Sequence, residues 1–216
     1  SDPLLRAHMT EQILQVAGDL FARHGYRRTT LEDVAAAVHV TRPDLYHYFH
    51  SKQDILTTIY ARVMDRIESE LQEVLALELD PASTIQTVVA RHTEFVVANR
   101  AIAAVFFEEK EFLPPKLREQ ILIQKRRYNH LLEQVVAAGE EQGVFRPVPV
   151  ALAVNGLLGM SNWSYQWYSE EGQLSPAETG RLFGEMAVAA LTDGASGRPL
   201  RDGARRSEHD SAWLPT

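Results

Sequence analysis

The sequence predicts an all-α protein of about nine helices, in which a small N-terminal three-helix domain precedes a larger helical domain. Apolar residues recur at the i, i+3, i+4 and i+7 positions of an amphipathic helix along most of the 216 residues. Residues that start and stop helices divide this pattern into segments. No alternation typical of a β-strand persists. These observations favour a helical fold over a mixed one.

The N-terminal region begins with an amphipathic helix followed by a short one. One is predicted between Thr10, its expected N-terminal cap, and Gly25, which is expected to end it. Another is predicted over residues 30–38. The apolar side of the first helix is formed by Ile13, Val16, Ala17, Leu20 and Phe21.

A third helix is predicted over residues 41–49. Thr41 and Asp44 have the spacing of a capping box, with aspartate in place of the usual glutamate. Leu45 and Phe49 are one turn apart and are expected to anchor its inner side. Two short helices joined by a tight turn and packed on a first helix are typical of a helix-turn-helix unit, whose last helix enters the major groove of DNA.

A long spacer helix is predicted from Ser51 to the break at Asp80 and Pro81. Further helices are predicted over residues 83–99, 100–112, 116–142, 148–169 and 176–191. The expected domain organisation is an N-terminal arm over 1–9, a helix-turn-helix domain over 10–52, a larger helical domain over 53–194, and a disordered tail over 195–216.

The composition limits the classes of function. The absence of cysteine excludes a disulfide framework, a thiol nucleophile and a cysteine-ligated metal site. No apolar run reaches the roughly 20 residues that cross a bilayer, and the N-terminus lacks a secretory pattern, so we expect a cytoplasmic protein with no membrane partner. A formal net charge of -7 argues against a protein that coats nucleic acid indiscriminately, but it allows a local DNA-reading surface.

The predicted third helix offers polar side chains suited to contact with DNA bases and phosphates. Lys52 follows at a helix start, where an ammonium group and free N–H groups both favour a phosphate oxygen. The outward residues of the third helix are Arg42, Asp44, Tyr46, His47 and Tyr48.

Residues 13–64 resemble the signature of the TetR family of transcriptional regulators. The strings FARHGY, TTLEDVAAAV, LYHYF and SK-x-x-IL occur in the order and at the spacing of that family. The resemblance implies a homodimer that represses by binding a palindromic double-stranded operator. It also implies phosphate contact by Tyr46 and Lys52 and backbone contact by Thr30. The complete predicted DNA-binding set is Thr30, Thr41, Arg42, Asp44, Tyr46, His47, Tyr48 and Lys52.

This region departs from the family pattern at the turn, because His39 occupies a place that favours a left-handed backbone and usually holds glycine. Glu32 and Asp33 also make it less basic than a typical DNA-binding domain. Two alternatives remain: a three-helix packing unit without a DNA role, and a metal site at His47 and His50, which would need a third ligand.

The resemblance implies that residues 53–194 form a ligand-binding and dimerisation domain. Its last two predicted helices, residues 148–169 and 176–191, would pair with the same helices of a second copy. A four-helix bundle between the two copies would bury their apolar residues. The dimer would also place two reading helices on one palindromic site.

The string LLGMSNWSYQWYSEEGQLSP resembles the TetR subgroup that responds to acyl-coenzyme A thioesters, and FFEEKEFLPP and RRYNHLLEQVV agree with it. The resemblance implies a small-molecule effector from lipid, steroid or aromatic-acid breakdown and no cofactor. Its acyl part would lie in the interior and its phosphates near cations such as Lys125. The predicted ligand-binding residues are Phe106, Phe107, Phe112, Arg126, Arg127, Tyr128, Asn162, Trp163 and Trp167.

Other interpretations of these residues stay open. Aromatic residues at helical spacing fit an ordinary core equally well, adjacent cations fit a solvated surface, and Trp163 or Trp167 could belong to the dimer interface. The acidic residues Glu108, Glu109 and Glu111 could orient a ligand or form a surface cluster. A free hydrophobic molecule, such as a drug or a fatty acid, is the rival effector.

An enzyme is not expected, because the sequence has no evident nucleophile with its base, phosphate-binding glycine loop or set of metal ligands. A catalytic pair of Glu108 with His92 or His130 would require these side chains to meet in space, and nothing in the sequence indicates that they do. A helical sensor without DNA is the remaining alternative. For a DNA-binding regulator, we expect a ligand to stabilise a conformer in which the spacer helix has moved the reading helices out of register with the DNA. The ligand can shift this equilibrium only by the difference between its affinities for the two conformers.

Overall fold

The computed structural model describes residues 3–192, and within this range it contains helices and turns without strands. The predicted all-α fold is confirmed. The predicted tail, 195–216, and the first two residues of the predicted arm lie outside the described residues. The elements are α1 (Pro3–His24), α2 (Leu31–Ala37), α3 (Arg42–Tyr46), α4 (Lys52–Leu75), α5 (Pro81–Ala98), α6 (Arg100–Glu108), a 3-10 turn (Lys110–Phe112), α7 (Pro115–Glu141), α8 (Val150–Trp167) and α9 (Pro176–Thr192).

Helices α1, α2 and α3 form an N-terminal head around one apolar core. Phe21, Val34 and Leu45 contribute one side chain from each helix, and none is more than 1% exposed. The same core continues through Tyr60 of α4 and Val105 of α6. The head is therefore joined to the second domain by continuous apolar packing as well as by the chain.

The first helix is longer than predicted. It begins at Pro3, and the hydroxyl of Thr10 donates to the carbonyl oxygen of Arg6 at 2.9 Å inside the helix. Thr10 is therefore not the N-terminal cap, because a threonine within a helix can bond to the carbonyl one turn earlier. Residues 3–9 belong to α1 and do not form a separate arm.

Two other helix ends also differ from the prediction. The third helix is confined to Arg42–Tyr46 and continues as a turn. The spacer helix α4 ends at Leu75, and Glu78 then takes a left-handed φ of 50°. Asp80 instead begins α5, since its carboxylate accepts from the N–H groups of the first turn of that helix.

The second domain is built from α4 to α9, with α9 lying closely against α5. A Cβ atom at Gly180 would lie 2.4 Å from the carbonyl oxygen of Ala90, and one at Gly184 would lie 2.5 Å from that of Gln86. Glycine is required at this contact because a larger residue would force the two backbones apart. The packing of α9 on α5, and of α8 across α5 and α7, leaves one side of α8 facing outward.

Candidate DNA interface and interior polar site

A capping box begins each of the helices α2 and α3. Thr30 accepts from the N–H of Asp33, whose carboxylate accepts from the N–H of Thr30, and Thr41 and Asp44 repeat this arrangement before α3. His39 takes the predicted left-handed conformation between them, with a φ of 58°. Hydrogen bonds from Thr41 hold the pKa of Asp44 below its usual value, so the second box persists at neutral pH.

Arg42 and Tyr46 extend from the outer side of α3 and contact each other. The Arg42 guanidinium lies 2.6 Å from the carboxylate of Glu32 and donates to the Tyr46 hydroxyl at 3.1 Å. Leu45 and Phe49 are buried on the inner side, as predicted. Arg42 therefore has to leave Glu32 before it can make a bidentate contact with another partner.

A concave surface of about 500 Å³ lies between the start of α1 and α3. Arg6 donates to the carbonyl oxygen of His47 at 3.1 Å and lies 5.5 Å from the centre of the Tyr48 ring. The beginning of α1 thus contributes to the surface beside the reading helix, which the sequence did not indicate. The lining residues are Arg6, Met9, Val40, Asp44, His47 and Tyr48.

Lys52, which was predicted to contact phosphate, is bound within the head. Its ammonium donates to the carbonyl oxygens of Tyr26, Arg27 and Thr29 at 2.7, 3.1 and 3.0 Å. An ammonium group has three N–H donors, so these bonds use all of them. The geometry favours a role in holding the turn between α1 and α2 over direct donation to DNA.

The end of α6 is attached to this same turn. The carboxylate of Glu109 accepts from the backbone N–H of Tyr26 at 3.0 Å, and the rings of Tyr26 and Phe112 stack at 5.0 Å. The side-chain amide of Gln53, in α4, donates to the carbonyl oxygen of Phe112 at 3.2 Å. These contacts join the second domain to the head.

The preceding residue, Glu108, is attached to α8 instead. One oxygen of its carboxylate accepts from the Tyr165 hydroxyl at 2.9 Å and from the Gln166 amide at 3.1 Å. The two glutamates therefore connect α6 to two different elements, and these contacts do not gather them around an interior ligand site. We call residues 105–113 the bridging segment.

The three phenylalanines predicted to line an acyl cavity do not gather around one: Phe106 and Phe107 contact each other edge to face at 5.4 Å between ring centres, and Phe112 lies against the head. Each stacks on or packs against a different tyrosine, and together they extend from the head to α8. The pairs are Phe106 with Tyr60, Phe107 with Tyr165 and Phe112 with Tyr26, at 4.8, 5.5 and 5.0 Å between ring centres.

Trp163 and Trp167 lie on the outer side of α8, where they are 62% and 53% exposed. Their predicted place in an interior cavity is therefore corrected to a surface. Leu152 is 66% exposed on the same helix, and Gly156 and Gly159 have open space where a side chain would begin. These positions repeat every three or four residues, so they form one stripe along α8.

A small cavity of about 10 Å³ lies inside the second domain, between α4, α5 and α7. The predicted ligand residue Tyr128 lines it, together with His92. The predicted residue Asn162 reaches it indirectly, since its side-chain oxygen lies 2.7 Å from Nε2 of His92. The sequence did not identify His92 as a ligand residue, although it is a lone histidine within the apolar side of α5. The other lining residues are Ile67, Glu70, Leu71, Val74, Val88 and Arg91.

Two arginines, Arg91 of α5 at the cavity and Arg127 of α7, are paired with glutamates of α4. Arg91 lies 3.4 Å from Glu73, and Arg127 lies 3.3 Å from Glu68. Arg126 is exposed on α7, as is its neighbour Lys125. The predicted cationic run thus lies at the surface, with one of its members tied to the spacer helix.

A larger open cleft of about 450 Å³ lies between the head and the second domain. Glu11 of α1 and Arg62 of α4 form an ion pair at its edge. Across residues 3–192, no cluster of three or more histidine, aspartate or glutamate side chains is arranged to hold a metal ion. The helices of the same range are also too short or too polar to cross a membrane.

Two family models match the chain. The model described as "Bacterial regulatory proteins, tetR family" matches residues 13–59, which include the helix-turn-helix unit. The model described as "Tetracyclin repressor-like, C-terminal domain" matches residues 78–191, which include α5 to α8 and most of α9.

Known transcriptional regulators are similar to this chain in sequence and structure. The transcriptional repressor KstR2 of Rhodococcus jostii is 28% identical over 166 residues, covering 76% of this chain and 81% of that protein. The TetR-family regulator PfmR of Thermus thermophilus has a TM-score of 0.73 at 29% identity, covering 82% of this chain and 96% of that one. AibR, in complex with isovaleryl coenzyme A and operator DNA, has a TM-score of 0.71 at 25% identity, covering 85% and 97%. The chain belongs to the TetR family of DNA-binding transcriptional regulators.

Proposed function

We propose that this chain is a transcriptional repressor that binds a palindromic operator as a homodimer in the cytoplasm and is released by an acyl-coenzyme A thioester. The observation that carries the proposal is the α2–α3 unit, with its two capping boxes and outward Arg42. KstR2 is named a repressor, and AibR was crystallised with isovaleryl coenzyme A and operator DNA. KstR2 therefore supports the repressor part of the proposal, and AibR supports operator binding and the acyl-coenzyme A effector.

Arg42 is the residue best suited to read a base, because a guanidinium can bind the major-groove edge of guanine through two hydrogen bonds. In the free protein Glu32 holds this guanidinium at 2.6 Å, so DNA has to replace an ion pair. Lys52 would support DNA binding indirectly, by holding the turn before α2. The remaining proposed contacts are made by Thr30, Thr41, Asp44, Tyr46, His47 and Tyr48.

The exposed stripe of α8 is the proposed dimer interface. Trp163, Trp167 and Leu152 are each more than half exposed, as is Met186 of α9. An apolar surface of this kind on a single copy is typical of a protein interface. Pairing α8 and α9 with their symmetry mates would cover it in a four-helix bundle.

The effector is proposed to enter between α4, α5 and α7. A volume of about 10 Å³ admits roughly one water molecule, whereas ligand pockets usually measure about 300 Å³ or more. An acyl group could therefore bind only if α4 moved away from α5 and α7. This requirement links binding to movement of the helix that carries the head.

The two ion pairs that join α4 to α5 and α7 offer a route for an anionic effector. Phosphates of coenzyme A would attract Arg91 and Arg127, which now bind Glu73 and Glu68 of α4. Exchange of these partners would release α4 from α5 and α7. An effector that lowers operator affinity 100-fold needs about 2.7 kcal/mol of differential affinity between the two conformers.

The test is a fluorescence-anisotropy titration of the duplex upstream of the coding region, with a panel of acyl-coenzyme A thioesters and the matching free acids. We expect salt-sensitive binding that the thioesters release. Arg91→Gln with Arg127→Gln should weaken the thioester response, whereas Arg118→Gln, at an exposed position of α7, should not.

Release by free acids, with no effect of the double variant, would support a free hydrophobic effector and overturn the coenzyme A part of the proposal. A failure to bind any native duplex would overturn the repressor itself.

A further inference from the structure

His92, which lines the small cavity between α4, α5 and α7, has a buried ring nitrogen without a hydrogen-bond partner. His92 is 8% exposed, and its Nε2 lies 2.7 Å from Oδ1 of Asn162. Among the side chains of residues 3–192, Nδ1 of His92 is the buried nitrogen or oxygen atom that makes no hydrogen bond. Buried polar groups in folded proteins are almost always paired, so an exception requires an explanation.

The partner of Nε2 determines what Nδ1 can bind. The side-chain oxygen of Asn162 can only accept, so Nε2 carries the proton. Burial lowers the pKa of His92 and outweighs the opposing effect of the Asn162 hydrogen bond, so the ring is neutral. In a neutral ring with a protonated Nε2, Nδ1 is a hydrogen-bond acceptor. No donor among residues 3–192 reaches it, so a bound molecule is a suitable source of one.

The surroundings of the ring combine apolar side chains with two charged residues, Glu70 and Arg91, so they suit a ligand with an apolar body and polar substituents. Leu71, Val74 and Val88 line the same cavity, and the Tyr128 ring centre lies 6.2 Å from that of His92. Because the cavity is small in the free protein, a single water molecule is the largest group that it admits. A hydroxyl group would replace such a water and keep its hydrogen bond.

We propose that His92 recognises a hydroxyl group on the buried acyl part of the effector, held in position by Asn162. This inference rests on the proposed function and narrows its effector from acyl thioesters in general to hydroxylated ones. An unsubstituted chain would bury Nδ1 without a donor. A site built around a hydrogen bond discriminates against a ligand that lacks the matching group.

The test is calorimetric titration of the DNA-free protein with octanoyl-coenzyme A and with hydroxyoctanoyl-coenzyme A isomers that carry the hydroxyl at successive carbons. We expect at least one isomer to bind about 10-fold more tightly than the unsubstituted thioester. In His92→Phe this preference should disappear while the unsubstituted thioester still binds. Asn162→Leu should reduce the preference, because the ring loses the group that orients it.

Thr93→Val is the matched control. Thr93 is the next residue of α5, is also buried, and its hydroxyl donates to that of Ser161 without lining the cavity. It should keep the preference for the hydroxylated thioester. If His92→Phe does not fold, nitrogen chemical shifts of the native His92 ring provide a second measurement. The inference expects a neutral ring protonated at Nε2 whose Nδ1 signal moves when the hydroxylated thioester binds.

The outcomes separate the two proposals. Equal affinity for all the thioesters, a preference that survives in His92→Phe, or a ring protonated at Nδ1 would overturn the inference and leave the proposed function standing. A protein that binds no thioester at all would overturn both the inference and the effector half of the proposed function.

Discussion

The carboxylate of Glu109, in the bridging segment, accepts a hydrogen bond of 3.0 Å from the backbone N–H of Tyr26, in the head. The preceding residue, Glu108, accepts from Tyr165 and Gln166 of α8. Two adjacent side chains therefore attach the bridging segment to the head on one side and to α8 on the other. A shift of α8 or α6 would reach the turn between α1 and α2 through these contacts.

Removal of the Glu109 carboxylate should weaken the response to effector more than the binding of DNA. In Glu109→Ala we expect the effector-induced loss of operator affinity to fall from about 100-fold to about 10-fold or less, because a charge-assisted hydrogen bond between domains is lost. Anisotropy titrations with and without effector measure this ratio. Glu111→Ala, at an exposed neighbour, is the control. An unchanged ratio in Glu109→Ala would contradict a role for this contact in coupling.

Neutralising Glu32 should strengthen DNA binding. The carboxylate competes with DNA for Arg42 at 2.6 Å and lies near the phosphates in the proposed complex. Glu32→Gln should bind the operator about 2- to 5-fold more tightly at low salt, as expected for an exposed ion pair, and this gain should shrink as salt rises. Glu119→Gln, at an exposed position of α7, should leave affinity unchanged.

Arg42 itself is expected to discriminate between sequences. Arg42→Ala should reduce the ratio of operator to random-duplex affinity by about 10-fold or more. Competition titrations with both duplexes measure this ratio. Equal losses on the two duplexes would show that Arg42 contacts only phosphate.

Replacing Lys52 should destabilise the head. In Lys52→Met the carbonyl oxygens of Tyr26, Arg27 and Thr29 lose their donor, and we expect the free energy of unfolding to fall by about 1–3 kcal/mol. Chemical denaturation measures this change, and Lys116→Met at an exposed position is the control. If Lys52→Met kept native stability and its operator binding depended less steeply on salt, the result would support the predicted contact of Lys52 with phosphate.

The contact between α5 and α9 should not tolerate a methyl group. Gly184→Ala would place Cβ 2.5 Å from the carbonyl oxygen of Gln86, so we expect a loss of about 1–3 kcal/mol in unfolding free energy. Gly143→Ala is unsuitable as a comparison because Gly143 has a positive φ of 70°. Gly156→Ala, in the open stripe of α8, is the better control, and its monomer should not be destabilised.

Charge in the α8 stripe should dissociate the proposed dimer. Trp163→Glu should shift the protein toward monomer in sedimentation equilibrium and weaken operator binding. Ile123→Glu is a matched control, since Ile123 is 57% exposed on α7, compared with 62% for Trp163. Dissociation by the control, or a Trp163 variant that remains dimeric, would place the interface elsewhere.

The helix-turn-helix unit could be predicted in detail because its determinants are local. Capping residues lie three positions apart, the left-handed turn at His39 is a property of one residue, and Leu45 and Phe49 follow helix geometry directly. Such features need no knowledge of distant contacts.

Lys52 and the candidate ligand residues were harder to place than the helix-turn-helix unit, because the residues around them come from distant parts of the chain. The partners of Lys52 lie on a turn between two earlier helices, and His92 meets Asn162 of α8 across the core. Helix α8 is apolar on several sides, so its sequence left open whether Trp163 and Trp167 line an interior cavity or face outward toward a dimer interface. Contacts of this kind depend on how helices rotate and pack against one another.

The small size of the cavity between α4, α5 and α7 also has a kinetic consequence. An effector that needs a larger space can bind only to molecules in which these helices have already separated, or must separate them as it enters. If opening comes first, the association rate is limited by the opening rate and stops rising at high effector concentration. The apparent dissociation constant then equals the intrinsic constant divided by the open fraction. Substitutions that loosen α4 against α7 would sensitise the regulator to its effector without touching the ligand.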